Sequence, residues 1–353
     1  MTAEPGRNRV SSCSINASRL ELLLPLPAAS PSRLAKRYPG IGPGEWPTNA
    51  EFLPVPPLLS IPLCLALAAI VWLSVKLRAG VCGTTLTTSA SWGIAVASCW
   101  FLAATLSATI SQANPSWQDQ LWYWTAVLSL VPPIAVLGAK RPGSEAWNFF
   151  VLLPLVCVLG WPALTVWSSS GPGALRVESP VLIGFVLVLV MGCGNYVATR
   201  LALPALLYAL AVVLVLAPCS TATTQLASPA TLRTAGMVLM ALSVFSARSV
   251  IVRGTSQEPG PERVWRDFQE LFGIVWMKRA MDRINIEFAE REQWPARLGP
   301  DGLEWSAPPT DDQRAATQAR LIYSLHWLLR RFVDPEWIET RLTGSEETGQ
   351  DAR

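Results

Sequence analysis

Seven long apolar runs, almost free of charge, lie between Pro56 and Arg253, and the 100 residues after them are charged, Trp-rich and helical in pattern. This contrast limits what the chain can fold into more than any other feature. The runs cover about 58–75, 88–110, 121–139, 146–167, 180–198, 201–218 and 234–252. Each is long enough to cross a hydrocarbon core of about 30 Å at roughly 1.5 Å per helical residue. A spanning segment must satisfy its own backbone polar groups, which leaves helices as the form. The expected fold is all-α: a polytopic membrane bundle of about seven transmembrane helices over 56–253, then a small, mainly helical cytoplasmic domain over 254–342. Residues 1–55, rich in Pro, Ser and Gly, and the polar tail 343–353 are expected to be disordered. The run Leu20–Pro27 is no signal-peptide core, being short, broken by two prolines and interrupted by Glu21.

Basic residues divide the loops into two sets. The first loop carries Lys76 and Arg78, the third Lys140 and Arg141, the fifth Arg200, and the last exit Arg248 and Arg253. The second loop has none, the fourth only Arg176 and the sixth only Arg233. The positive-inside rule then puts the C-terminus in the cytoplasm and the N-terminus outside. Arg33, Lys36 and Arg37 would be translocated, at the edge of the distance over which the rule counts charge. Arg248 cuts the uninterrupted apolar stretch of the last run to about 14 residues, making it the weakest of the seven. Trp117, Trp122, Tyr123 and Trp124 at the start of the third run, and Trp147 and Trp167 around the fourth, read as an interfacial aromatic belt. Arg far outnumbers Lys, and Ala, Leu and Pro are abundant, as in a GC-rich bacterial genome. The expected location is the plasma (inner) membrane, with the lipid bilayer as one partner. A net charge of +3 is too small to imply nucleic acid.

Chemistry is mostly argued against. The spans hold no ionisable side chain away from their ends except Arg248, which disfavours proton relays, ion coupling and retinal attachment. The single histidine, His326, disfavours bis-His haem and zinc-protease chemistry, and its place beside Leu325 is that of a core-boundary residue. The seven cysteines contain no CxxC pair and read as packing residues. No phosphate loop, dinucleotide fingerprint or GxSxG elbow occurs. No catalytic residue, metal ligand or cofactor is therefore expected, and the chain reads as a non-enzyme.

Local features remain. The polar turn containing Asn195, Tyr196 and Arg200 is suited to helix capping and interfacial anchoring, or to binding a ligand or docking the cytoplasmic domain. Pro132-Pro133 and the set Pro154, Gly160 and Pro162 break two spans, as in ordinary kinked helices or in transporters. The Ser and Thr residues of the second run suggest hydrogen bonds between helices, and Gly192-Cys193-Gly194 suggests close helix packing.

Beyond the linker Gly254–Pro261, a helix of about 30 residues carries two offset stripes. One is Trp265, Phe268, Phe272 and Val275; the other is Ile274, Met277, Met281, Ile284 and Phe288. Residues 294–305 read as two short arms around a turn, with Trp294 and Trp305 closing it. A second helix follows the Thr310 stop-and-cap signal with Leu321, Leu325, Leu328 and Phe332 as its stripe. A last short helix starts at Pro335 with Asp334 as cap. So small a domain has a modest core and is expected to lean on the membrane block or on a second copy. Trp265, Trp276, Trp327 and Trp337 are the expected partner surface. The function expected is that of an assembly, scaffold or regulatory component that docks a protein partner or forms a homo-oligomer. The alternative is a facilitative transporter or permease subunit.

Overall fold

Apolar helices joined by short turns dominate the computed structural model, which describes residues 57–110, 115–141, 144–168, 175–220, 227–254, 258–291 and 296–344. The expectations for 1–55, for the tail beyond Gly344 and for Trp294 lie outside those residues. In chain order the membrane block holds α1 (Pro57–Gly80), α2 (Thr87–Ile110), α3 (Pro115–Ser129), α4 (Val131–Leu137), α5 (Ser144–Trp147), a π-helical turn (Asn148–Leu152), α6 (Leu153–Ser168), α7 (Ser179–Gly194), α8 (Ala202–Leu216) and α9 (Pro229–Gly254). The C-terminal part holds α10 (Pro261–Arg291), β1 (Ala296–Gly299), β2 (Gly302–Trp305), α11 (Asp311–Leu329) and α12 (Pro335–Thr343).

Among the described residues six segments are long and apolar enough to cross a membrane: 61–80, 87–109, 117–137, 149–166, 202–219 and 229–252. The run expected to be weakest is thus a full-length helix through Arg248, and the short one is α7, with 16 residues. Its expected end near residue 198 is cut back to Gly194, because Asn195 turns away to hold the C-terminal part. α7 still joins the two ends of the bundle. The Val177 N–H before it donates to the Cys219 carbonyl after α8 at 2.8 Å, and Asn195 lies at the other end, under the C-terminal helices.

Pro132-Pro133 separates α3 from α4, and Gly192 of α7 closes on that break. A Cβ at Gly192 would lie 2.7 Å from Pro133. The bundle core is more aromatic than an interfacial belt allows. Trp122 and Tyr123 are buried in it with Trp100 and Phe185, because α3 starts at Pro115 and carries them two turns inside the bundle. Trp117 stays exposed. Trp100 and Trp122 meet edge to face at 5.8 Å and donate to Ser129 and Ser107. Ser89 of α2 donates across to the Pro132 carbonyl, while Ser98, Thr105 and Thr109 bond their own helix.

In the C-terminal part α10 is interrupted at Gly273, whose φ of 77° and ψ of −178° are not helical. That interruption is the physical reason for two offset stripes: the helix restarts with its apolar face turned. Trp265, Phe268 and Phe272 are buried before the break, and Met277, Met281, Ile284 and Phe288 after it. The strands pair antiparallel, Ala296 with Trp305 through Gly299 with Gly302. Asn285 of α10 pins them, exchanging two hydrogen bonds with the Leu298 backbone. Thr310 and Gln313 cap α11 reciprocally. Asp334 precedes α12 but makes no side-chain cap bond; its carboxylate pairs instead with Arg141 at 2.8 Å.

Candidate functional site

The C-terminal helices sit on one end of the bundle, against the turns after α1, α4 and α7. These are the loops that carry Lys140, Arg141 and Arg200 and follow Lys76 and Arg78. At the first turn the Thr85 N–H donates to the Phe332 carbonyl at 2.8 Å and the Asp334 N–H to the Gly83 carbonyl at 2.7 Å. At the second, the Arg141 N–H donates to the Arg331 carbonyl at 2.8 Å. Trp276 reaches down from α10 and gives its indole N–H to the Val136 carbonyl at 3.2 Å.

The third turn makes the tightest joint. The Asn195 amide donates from Nδ2 to the Phe272 carbonyl at 3.0 Å, and its Oδ1 accepts from the Val275 N–H at 3.0 Å. The Asn195 carbonyl accepts from the Ile274 N–H at 2.8 Å. One buried residue thus satisfies the backbone groups that the Gly273 break releases, which are costly to leave unpaired. Tyr196 donates its hydroxyl to the Leu271 carbonyl at 3.2 Å, and burial pushes its phenol well above the usual range. Arg200 pairs with Glu270 at 3.2 Å. The whole polar turn is used for docking the C-terminal part.

Burial raises Glu270's pKa, and Arg200 offsets only part of the shift. A carboxyl whose folded pKa is raised loses stability as pH climbs through its unfolded value and regains it on acidification. Glu270→Gln is therefore expected to leave the melting temperature at pH 7 unchanged within about 2 °C, or to raise it. A larger fall would show that the Arg200 pair outweighs the burial.

An aromatic core fills the joint. Phe332 lies 5.4 Å from Phe268, 5.3 Å from Phe272 and 4.9 Å from Trp276 between ring centroids. Leu86, Val136 and Ala139 of the membrane block belong to this same core. Of the four tryptophans read as a partner surface, three point into the chain: Trp265 is 1% exposed, Trp276 8% and Trp337 6%. Trp327, at 39%, stands out from α11. His326 faces Glu339 across the α11–α12 seam at 3.4 Å.

Two openings flank the joint. A crevice of about 230 Å³ at the Pro132-Pro133 break is lined by apolar groups with Ser89, Tyr196, Tyr208 and Ser243. Their hydroxyls all donate to carbonyls within the chain. A larger groove of about 820 Å³ lies between α4, α5, the end of α7 and α10. At the opposite end of the bundle Arg233 of α9 pairs with Asp119 and donates to Gln118 at 3.1 Å. In the sequence Arg233 reads only as a loop charge, and nothing in the linear pattern joins it to Asp119. No group of three or more His, Cys, Asp or Glu side chains suited to a metal occurs among the described residues. No family model matches the chain, and no curated protein or solved structure is significantly similar to it.

Proposed function

We propose that this chain is a seven-pass plasma-membrane protein without catalytic chemistry, whose C-terminal helices form a cytoplasmic platform that docks a protein partner. The observation that carries the reading is the outer face of α11. Tyr323 and Trp327, one helical turn apart, are both exposed there. Arg320 stacks at 5.0 Å from Tyr323 and Arg330 at 5.9 Å from Trp327. Exposed aromatics paired with Arg are the residue types enriched at interface hot spots. The platform is held by backbone hydrogen bonds to three turns of the bundle, so it is presented in one orientation. Trp265, Trp276 and Trp337 support it from within.

The seventh pass is α7, about 24 Å long at helical rise, which is served by local thinning of the bilayer. Because the C-terminal helices cover the basic loops, the positive-inside rule places them in the cytoplasm. Reporter fusions after Arg141 and after Arg253 are expected to read cytoplasm, and an external signal at either point overturns the orientation. The rival reading, a facilitative transporter, has less support. The carbonyls near the broken spans, which a substrate would need, receive Tyr208 at Ser129, Tyr123 at Leu159 and Gln120 at Ala163.

The docking role is tested in the tagged full-length chain, since truncation after Arg253 uncovers Val136 and Ala139. Tyr323→Ala with Trp327→Ala is expected to keep the wild-type melting temperature and lose the partner that the wild-type chain captures. Equal capture by both proteins, or capture of nothing by the wild type, overturns the role. A second copy as the captured species identifies the homo-oligomeric form of it.

A further inference from the structure

We infer that the 820 Å³ groove beside α4 and α10 holds the headgroup of an anionic phospholipid. The inference rests on the membrane placement but not on the docking role. Three cations line the groove, Lys140, Arg141 and Arg279, and no carboxylate lines it among the described residues. Asp334 pairs with Arg141 at 2.8 Å. Arg279 stacks on the Trp276 ring at 4.9 Å, which orients it without neutralising it. Lys140 and Arg279 have no ion-pair partner among the described residues, which leaves two charges in the groove uncompensated by them. A solvated surface leaves such charges to water. Here they sit in a concavity whose other walls, Asn195 apart, are mainly apolar: Leu137, Trp147, Met191, Ile274 and Val275.

The position of the groove selects a lipid over a soluble anion. Lys140 follows α4 by three residues, at the end of the 117–137 span, which is headgroup depth. Met191 lines the groove and also ends an exposed apolar stripe on α7, with Leu187 at 59% and Ile183 at 59% exposure one and two turns further back. Across from it, Trp147 lines the groove and the exposed Phe149 and Phe150 follow in the π-helical turn. A phosphodiester bound by the cations would therefore have its acyl chains lying on surface that is already lipid-facing. Basic pockets between helices at the cytoplasmic edge recognise anionic headgroups by this combination. The groove also straddles the joint, since Asn195 and Trp276 both line it. A bound headgroup would tie α10 to the bundle.

The test uses full-length protein in nanodiscs, with native mass spectrometry and thermal shift as readouts. Phosphatidylglycerol is compared with phosphatidylcholine of the same acyl chains, and inorganic phosphate is the soluble arm. Phosphatidylglycerol is expected to be retained and to raise the melting temperature, while the other two do neither. Lys140→Gln with Arg279→Gln is expected to lower phosphatidylglycerol retention on the order of tenfold. Lys140→Arg with Arg279→Lys should restore it, and Arg297→Gln with Arg314→Gln, the same charge loss elsewhere, should not alter it. Equal retention of both lipids, an equal effect of inorganic phosphate, or loss of retention in the distant double variant each overturns the inference. If the Gln variant does not fold, the wild-type lipid comparison still decides. Failure of the wild type to enter nanodiscs would instead count against the membrane placement.

Discussion

Replacing Gly273 by Ala is expected to detach the C-terminal helices from the bundle. At φ 77° and ψ −178° the backbone lies in a region that is essentially glycine-only, costing about 1–3 kcal/mol for any other residue. A Cβ there would also lie 2.6 Å from the Asn195 carbonyl oxygen, against backbone that has no room to retreat. The combined cost is about 3 kcal/mol or more, a fall in melting temperature of roughly 6 °C or more in detergent. Limited proteolysis should then cut within residues 254–344 while leaving the bundle protected. Asn195→Ala should produce a change of the same order, because it strands the Phe272 carbonyl and the Val275 N–H, each worth about 1–3 kcal/mol when buried. Wild-type protection in Gly273→Ala would mean that the joint does not hold the two parts together.

The second large effect is expected at the other end of the bundle. Arg233→Met removes the partner of Asp119 and leaves a mostly buried carboxylate, its side chain 22% exposed. Breaking a buried pair from one side costs about 3–5 kcal/mol, and the residual exposure of Asp119 places this case at the lower end. Adding Asp119→Asn should recover most of the loss, since two neutral groups need no mutual compensation. Melting temperatures of the two single variants and the double variant give the coupling energy directly. A harmless Arg233→Met, or a double variant as unstable as the single, would show that the pair is not what joins α3 to α9.

Much of this architecture was legible in the chain. Six of the apolar runs became helices long enough to span, and the break at Pro132-Pro133, the hairpin around Pro300-Asp301 and the Thr310 cap stand where the residues put them. Each depends on neighbours within a few positions: hydropathy over a window, a missing N–H, a side chain three residues from its backbone partner. The stripes of α10 were also visible, and their offset was the trace of the Gly273 break, although a run of apolar residues without a proline gave no reason to place it there.

Other features were settled only by tertiary packing. Asn195 and Phe272 are 77 positions apart, and Trp276 and Val136 are 140 apart, so no periodicity links them. The same is true of Arg233 and Asp119, separated by 114 positions. A buried tryptophan face reads identically in sequence whether a partner or the chain itself covers it, which is why Trp265, Trp276 and Trp337 looked like a surface. Trp122 and Tyr123 passed for interfacial residues because the start of α3 at Pro115 cannot be read from hydropathy. Composition and local pattern determine the environment of this chain and the elements it forms. Which side chains of those elements meet, and which remain to face a partner or a lipid, depends on contacts between distant residues that exist only once the helices have packed.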